Sequence, residues 1–388
     1  MVQGSGESAP ASPQAVSADE LYRNGLAAYD RQDFAEAVAT WRKAAQLGHA
    51  RAIIDLGSIY QRGAKGVPQD YTRAIEWFRK GAEQGNASAQ HRVGLFYQKG
   101  WGVTQDYAQA MEWFHKAADQ DDATAQNDIG WMYKNGWGVT QDYHQAMQWF
   151  IKASTQGNAA AQLNIGILYH EAQGVGRNYS EAMQWFRKAA TQGNVSAQNW
   201  IGVIYQKGEG VPQDYREAAQ WFRRAAAQGN AFAQSSLGWV YYNGEGVAQD
   251  YGQAMQWFRK AADQGYTTAQ LGIARLYRNG QGVPQDNSQA VEWFRKAADK
   301  GNAAAQNDLG WMHRRGQGVT QDYGQAMQWF RKAADQGFTA AQTSVGWLYE
   351  TGLGVPVDKG QAIAWYRKAA ASGDGNARQA LIRIGSGA

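Results

Sequence analysis

Residues 87–118 read ASAQHRVGLFYQKGWGVTQDYAQAMEWFHKAA, and variants of this stretch recur along the 388-residue chain. Trp113 within it belongs to a series of tryptophans that recur every 36 residues from Trp77 to Trp365, and Trp41 precedes the series. Self-similarity at such a fixed period indicates a repeat array. Nine full units follow, at 49–85, 86–121, 122–157, 158–193, 194–229, 230–265, 266–301, 302–337 and 338–373.

Each unit predicts two helices separated by a glycine-rich loop. In the quoted unit, Val93 and Tyr97 share an apolar face of the first helix, and Gly100-Trp101-Gly102 ends it. The second helix has one continuous apolar face, formed by Ala110, Trp113, Phe114, Ala117 and Ala118. A single hairpin cannot bury such faces alone, so the units must stack. The sequence therefore predicts an all-α fold, an α-solenoid of tandem 36-residue helical hairpins.

The start of the second helix is marked by a capping box, because Asp106 is followed three residues later by Gln109. The same pair recurs in other units, as Asp142 and Gln145, Asp250 and Gln253, and Asp322 and Gln325. The second helix of the quoted unit is therefore predicted to begin near Tyr107.

The array is flanked by segments that lack the complete pattern. Residues 17–48 predict an N-terminal capping hairpin, and residues 374–388 predict a C-terminal capping helix and tail. Residues 1–16 are rich in Ser, Gly, Ala and Pro and are interpreted as a disordered leader or a cloning remnant. Such a leader fits an exported protein that has lost its signal peptide as well as a cytoplasmic one. The compartment stays open, with a periplasmic or secreted location favoured.

The pattern Ala-x-Ala-x-x-x-Val-Gly-x-x-Tyr-x-x-Gly-x-Gly-Val-x-x-Asp-x-x-x-Ala-x-x-Trp-x-x-Lys-Ala-Ala, read from Ala87 to Ala118, resembles the bacterial Sel-one-like repeat (SLR), a relative of the tetratricopeptide repeat. The resemblance covers residues 49–373. It implies a right-handed superhelical α-solenoid that serves as an adaptor or scaffold, and some bacterial members are immunity proteins against secreted toxic enzymes. Departures from the pattern are local: Ala172 and Asp121 replace glycines, Asn178 replaces a capping Asp, and Asn287 replaces a tyrosine.

The sequence contains no recognisable catalytic or metal-binding set. The absence of cysteine excludes disulfides, zinc-thiolate sites and a cysteine nucleophile. The six histidines fall at six different positions of the repeat: His49, His91, His115, His144, His170 and His313. No apolar run approaches the ~18 residues of a membrane helix. We therefore expect a non-enzymatic binding protein with no cofactor, no metal and no membrane insertion.

The resemblance also implies where a partner binds, since the first helix of each tetratricopeptide hairpin lines the concave surface. Transferred to the quoted unit, that geometry gives five inward-facing positions, Ser88, His91, Leu95, Gln98 and Lys99. Over nine units these positions hold two acidic residues, Glu171 and Glu350, and nine basic ones, Arg51, Arg62, Lys99, Lys134, Lys207, Arg275, Arg278, Arg314 and Arg315. Including the neighbouring position adds Arg92, Asp55, Asp128 and Asp308 and lowers the positive excess.

Aromatic residues are interleaved with these cations. Trp131, Trp239, Trp311 and Trp347 occupy the same inward position in four units. The candidate partner-binding set consists of these four tryptophans together with Tyr242, Arg275, Arg278, Arg314 and Arg315, because aromatic residues and arginine dominate protein-binding surfaces. The alternative is that the tryptophans pack between adjacent first helices, with the arginines stacked on them. Trp101 and Trp137, in successive loops, form a second candidate patch.

These features favour a scaffold that holds a protein partner with an acidic or extended segment in the concave groove. An immunity or inhibitor protein that wraps a secreted effector enzyme is the specialised form suggested by the family. The alternative is a binder of an anionic polymer, either polysaccharide or single-stranded nucleic acid. Nucleic acid is disfavoured, because the chain has no basic run and a net charge of only +4. The oligomeric state is left open.

Overall fold

The computed structural model describes residues 16–385, and within this range all extended regular secondary structure is helical. Most of the predicted leader and the last three residues lie outside the described part of the chain. The helices are α1 (Ala18–Asp30), α2 (Phe34–Gln46), α3 (Ala50–Arg62), α4 (Tyr71–Glu83), α5 (Ala87–Lys99), α6 (Tyr107–Ala118), α7 (Ala123–Asn135), α8 (Tyr143–Thr155), α9 (Ala159–Glu171), α10 (Tyr179–Thr191), α11 (Val195–Lys207), α12 (Tyr215–Ala227), α13 (Ala231–Asn243), α14 (Tyr251–Asp263), α15 (Thr267–Asn279), α16 (Asn287–Asp299), α17 (Ala303–Arg315), α18 (Tyr323–Asp335), α19 (Thr339–Thr351), α20 (Lys359–Ala371) and α21 (Gly375–Arg383).

These helices form an all-α solenoid, as predicted. Pairs of consecutive helices pack as hairpins, namely α1–α2, α3–α4, α5–α6, α7–α8, α11–α12, α13–α14, α15–α16, α17–α18 and α19–α20. The chain divides into two compact units between Ala189 and Ala190, a boundary that falls within α10. Within each unit, the second helix of one hairpin packs against the first helix of the next hairpin. Among residues 16–385, an isolated antiparallel bridge joins Ala64 and Val67 in the loop between α3 and α4.

The helix ends show why every unit adopts the same lengths. Asp106 Oδ1 accepts hydrogen bonds from the backbone N–H groups of Ala108 and Gln109 at 2.9 and 3.0 Å, so α6 begins at the predicted residue. Most of the first helices end on a glycine in the left-handed region. Ala172 adopts that conformation at the end of α9, with a φ of 59°, and Asn178 replaces aspartate as a cap by accepting from the N–H of Glu181. The departures from the pattern therefore leave the hairpin intact.

In the hairpins between the first and the last, the phenylalanine that follows the periodic tryptophan is fully buried. Phe330 on α18 is fully buried and lies against Gly310 on α17. A Cβ added to Gly310 would come within 2.7 Å of the Phe330 ring, far inside van der Waals contact. Glycine is therefore required at this position because the two helices cross closely with an aromatic ring between them.

Two kinds of side-chain contact, one within the second helix and one between glutamines, recur from hairpin to hairpin. In the larger set of contacts, a Lys or Arg stacks over the periodic tryptophan that lies three residues before it on the same second helix, with the charged group 3.9–4.5 Å from the ring centroid. We call this set the second-helix ladder. The pairs are Trp77/Lys80, Trp113/Lys116, Trp149/Lys152, Trp185/Lys188, Trp221/Arg224, Trp257/Lys260, Trp293/Lys296, Trp329/Lys332 and Trp365/Lys368. Trp293 also packs against the hydrophobic cores on both sides of it.

A second recurring contact is a pair of glutamines. Gln120 Nε2 donates to Gln90 Oε1 at 2.7 Å, which ties the end of α6 to the start of α5, and Gln90 Nε2 donates to the backbone oxygen of Ala82 in the preceding hairpin. Equivalent pairs occur elsewhere, as Gln156 with Gln126, Gln228 with Gln198, Gln264 with Gln234, and Gln336 with Gln306. Because a buried amide needs hydrogen-bond partners, these bonds favour one register between the two helices of a hairpin and between neighbouring hairpins.

Candidate functional site

The predicted binding residues lie on the first helices of their hairpins, which we call the first-helix wall. Eight of the nine are in the second unit: Trp239 and Tyr242 on α13, Arg275 and Arg278 on α15, Trp311, Arg314 and Arg315 on α17, and Trp347 on α19. Trp131 lies on α7 in the first unit, where Lys134 stacks over its ring at 5.4 Å. Arg315 is exposed and the other eight side chains are half-buried.

The α13 end of the wall is occupied by packing contacts. The Trp239 ring lies 5.1 Å from both Phe258 and Tyr242, and Arg275 covers it at 5.9 Å. The Tyr242 hydroxyl donates to Gln281 Oε1 at 3.0 Å. Trp239 and Tyr242 therefore serve as inter-repeat packing groups as well as wall residues, which is the alternative considered for the inward tryptophans.

The two arginines of α15 share one carboxylate. Arg275 Nε lies 3.0 Å from Asp308 Oδ2, and Arg278 Nη1 lies 3.5 Å from Asp308 Oδ1. Asp308 on α17 is only 8% exposed. The positive charge predicted for the wall is consequently reduced here, because Asp308 belongs to the neighbouring position that the five-position count leaves out.

The α17 end is an open cleft whose arginine is held between two indoles. The Arg314 guanidinium carbon lies 3.6 Å from the ring centroid of Trp347 and 4.4 Å from that of Trp311, and Arg315 lies over Trp311 at 4.9 Å. Trp311, Arg314 and Trp347 line a cleft of about 300 Å³ that extends to α21. The remaining lining residues are Ala340, Thr343, Ser344, Tyr366, Asp374, Asn376, Ala380 and Arg383.

The far side of this cleft is fixed by a polar triad that the sequence analysis did not identify. The Tyr366 hydroxyl donates to Glu350 Oε2 at 2.7 Å, and the Arg383 guanidinium donates to both Glu350 oxygens. Burial and the bond to Glu350 raise the pKa of Tyr366, so the phenol stays protonated. The sequence signal was available: Tyr366 takes the place that phenylalanine holds in the other units, directly before the array ends.

Burial is the main cause of the pKa shifts of the charged groups in and beside the wall. Desolvation, followed by the charge of Arg315, lowers the pKa of Arg314, although guanidinium remains protonated at any ordinary pH. Burial likewise lowers the pKa of Lys134, against the opposing charge of Glu171. His313 sits beside the wall where other units have tyrosine, and burial followed by the charge of Arg295 lowers its pKa.

The second candidate patch is part of the packing. Trp101 stacks on Tyr71 with ring centroids 5.3 Å apart, and Trp137 stacks on Tyr107 at 5.6 Å. Both indoles are half-buried against the preceding hairpin. The loop tryptophans therefore join repeats rather than form an exposed surface.

No helix within residues 16–385 is long and apolar enough to cross a membrane. In the same range, no group of three or more His, Asp or Glu side chains is placed to hold a metal ion.

Comparison with known proteins gives a consistent family. The model of the Sel1 repeat matches ten consecutive segments, at 15–49, 50–86, 87–122, 123–158, 159–194, 195–230, 231–266, 267–302, 303–338 and 339–374. The first of these matches the hairpin that the sequence analysis interpreted as an N-terminal cap. A search of curated proteins found no match.

Two solved structures are similar to the chain over most of their length. A protective antigen of uropathogenic Escherichia coli strains that displays an SLR fold is 35% identical, with a TM-score of 0.59, over 95% of this chain and 87% of its own. A Sel1 repeat protein from Oxalobacter formigenes is 34% identical, with a TM-score of 0.61, over 80% of this chain and 90% of its own. The chain therefore belongs to the Sel1 repeat family, whose solenoids are non-catalytic protein-interaction scaffolds.

Proposed function

We propose that this scaffold binds a partner protein on the first-helix wall of its second unit, with the cleft between Trp311 and Trp347 as the principal contact. The observation that carries the proposal is the state of Arg314, which is half-buried between two indoles at the wall of an open cleft. Arginine and tryptophan placed in this way are the residue types that supply most of the binding energy of protein interfaces. Trp239, Tyr242, Arg275 and Arg278 extend the same wall, and Trp131 offers a separate contact in the first unit.

An acidic or extended segment of the partner fits the positive charge of Arg314 and Arg315. An anionic polymer fits less well, because it needs a row of unpaired cations along the wall. Asp308 neutralises part of that row at Arg275 and Arg278, and Glu350 neutralises it again at Arg383. A protein partner is therefore favoured over polysaccharide or single-stranded nucleic acid.

The test is capture of partners from a cell lysate by the full chain and two matched variants, with quantitative mass spectrometry. The wall variant is Trp311→Ala with Arg314→Glu, and the ladder variant is Trp293→Ala with Lys296→Glu, which makes the same kinds of change in the second-helix ladder. A protein retained by the wild type and the ladder variant but lost from the wall variant supports the proposal, and an enzyme in that position would indicate the immunity form. Retention of the same proteins by all three, or recovery of only nucleic acid or glycan, would overturn it.

The salt dependence of binding separates the two partner classes. A polymer that contacts several cations loses affinity steeply and linearly with the logarithm of salt concentration. A protein anchored by indoles retains most of its affinity, because apolar burial is not screened. We expect the shallow dependence, measured by repeating the capture at low and moderate salt.

A further inference from the structure

The arginines at the C-terminal end of the first-helix wall differ in whether their charge is already paired. Arg275 and Arg278 are held by Asp308, and Arg383 is held by both oxygens of Glu350. Among residues 16–385, no carboxylate oxygen lies within 4.0 Å of the Arg314 or Arg315 guanidinium. These two adjacent side chains are therefore the wall arginines of this end without a carboxylate partner, and Asp374 and Asp308 line the same clefts beyond ion-pair distance.

Trp311 and the two guanidiniums line two clefts. Arg314 lines the cleft of about 300 Å³ on the side of α19 and α21, and Arg315 lines a cleft of about 590 Å³ on the side of α15. The two guanidinium carbons lie 4.4 and 4.9 Å from the centroid of the same indole. The Trp311 indole, which we call the ridge, therefore borders both clefts, and one of the two arginines lines each of them.

We propose that this ridge binds an extended acidic peptide segment with carboxylates at alternating positions, one reaching Arg314 and the other reaching Arg315 across Trp311. The proposal rests on the proposed function and specifies the chemistry of the partner at that site.

The spacing of an extended chain fits this arrangement. Residues i and i+2 of an extended strand point to the same side and lie about 7 Å apart. The two guanidinium carbons lie 4.4 and 4.9 Å from one ring centroid, so they are at most about 9 Å apart, a distance that two such side chains can span. The side chain between them points away from the ridge. A cleft of this size accommodates side chains rather than a whole helix, which is about 10 Å across, so the extended conformation is favoured.

The energetics also favour carboxylates at this place. Arg314 is held by stacking on Trp311 and Trp347, so little side-chain entropy is lost when it binds. Its burial and the adjacent charge of Arg315 both oppose its protonated form in the free protein. A bound carboxylate relieves that repulsion, and the guanidinium offers two parallel N–H groups to it.

The test uses the full chain and two fluorescein-labelled ten-residue probes, one alternating Glu with Ser and one alternating Gln with Ser, with anisotropy as the readout. The site variant is Arg314→Gln with Arg315→Gln. The matched control is Arg223→Gln with Arg224→Gln, which removes two adjacent arginines, one of them also stacked on a tryptophan, from α12 in the same unit. Circular dichroism melting of each variant shows whether it is folded at the temperature of the titration.

We expect the wild type to bind the glutamate probe about tenfold more tightly than the glutamine probe, since a charge-assisted pair differs from a neutral one by about that factor. The site variant should lose that preference and the control variant should keep it. Equal losses in both variants would show a general charge effect, and a wild type without preference for glutamate would show that no such site exists; either result overturns the proposal. Partner capture that still depends on Trp311 after such a result would leave the proposed function standing.

Discussion

The second helices and the first-helix wall both place tryptophan beside a cation, but only the second helices repeat this pair regularly along the array. On the second helices, tryptophan and a cation three residues later stack in nine successive hairpins at nearly constant distance. On the first-helix wall, tryptophan appears at one position in four units and arginine takes it in another. A residue type that is uniform along a repeat array is explained by packing, whereas one that varies from unit to unit is free to serve recognition.

The contrast also shows that a variable position is not always a free one. Asp308 and Glu350 are irregular residues of the wall, and both form ion pairs, Asp308 with Arg275 on the wall and Glu350 with Arg383 on α21. Trp239 is irregular and is packed against Phe258. Our proposal of a recognition site therefore rests on irregular residues that line a cleft without a carboxylate partner, which are Arg314 and Arg315.

The largest expected effect comes from adding a side chain where the two helices of one hairpin cross closely. Gly310→Ala is expected to lower the free energy of unfolding by about 3 kcal/mol, since its Cβ has no room beside Phe330. Chemical denaturation measures the change. Gly375→Ala, where a Cβ meets nothing within 4 Å, should be neutral or slightly stabilising. Equal stability of Gly310→Ala and wild type would contradict the packing account.

On the first-helix wall, removal of the carboxylate that Arg275 and Arg278 share is expected to lower the stability of the fold. Asp308→Asn leaves Arg275 and Arg278 without their carboxylate and should lower the free energy of unfolding by about 2 kcal/mol, because it removes one charge-assisted hydrogen bond and one ion pair. The exposed Asp299→Asn on the neighbouring α16 is the control and should change little. If both variants unfold at the same denaturant concentration as wild type, the Arg–Asp contacts contribute only to the surface charge.

His313 interrupts a contact between tyrosine and arginine that recurs in several other hairpins. In other units the tyrosine hydroxyl bonds to an arginine 18 residues earlier, as Tyr349 does with Arg331 at 3.2 Å, and here the corresponding arginine is Arg295. Both ring nitrogens of His313 are buried without a partner in the described part of the chain. His313→Tyr should therefore stabilise the fold by about 1 kcal/mol through the restored hydrogen bond.

His313→Tyr should also change how the stability of the fold depends on pH. Because the pKa of His313 is lowered in the folded state, the unfolded chain takes up a proton first as the pH falls through the ordinary value of 6.5, and the wild type loses stability. The benefit of the substitution should be larger at pH 5 than at pH 8. Tyr349→His is the reverse control and should destabilise, most strongly at low pH. A benefit independent of pH would show that His313 titrates normally.

The smallest expected effect is the repair of one glutamine pair. Gln270 Oε1 has no partner among the described residues because Lys300 replaces the glutamine that other units have there. Lys300→Gln should add about 0.5 kcal/mol, since Gln264 shows that glutamine at this position bonds to both the paired amide and a backbone oxygen. The opposite change, Gln264→Lys, should lose a similar amount in the same denaturation assay. Two changes of the same sign would contradict the pairing.

The sequence predicted the fold because the repeat is dictated by local chemistry. The period, the Asp106 cap and the apolar face around Trp113 determine helix boundaries, and each hairpin then meets a copy of itself. The nine candidate binding residues were placed on the first helices by the resemblance to tetratricopeptide solenoids. Their partners were harder to predict, because contacts such as Arg314 with Trp347 join residues 33 apart whose side-chain directions depend on the angle between adjacent helices.

Charge was the part least predictable from the sequence. A count over chosen positions gave a basic wall, yet Asp308 lies one position outside that count and binds two of its arginines. Arg383 comes from the closing helix, beyond the repeats, and pairs with Glu350 on the wall. Ion pairing depends on distances of a few ångströms between neighbouring helices, which a periodic pattern does not encode.

Scanning calorimetry of the two matched variants measures whether the second-helix ladder contributes more to the stability of the fold than the wall residues around Trp311 do. Trp293 packs between two hydrophobic cores, whereas Trp311 packs against one and lines a cleft. We predict that Trp293→Ala with Lys296→Glu lowers the melting temperature by about 2–4 °C more than Trp311→Ala with Arg314→Glu, corresponding to about 1 kcal/mol of extra lost packing. An equal or larger fall for the wall variant would show that Trp311 and Arg314 are packing residues and would contradict the account.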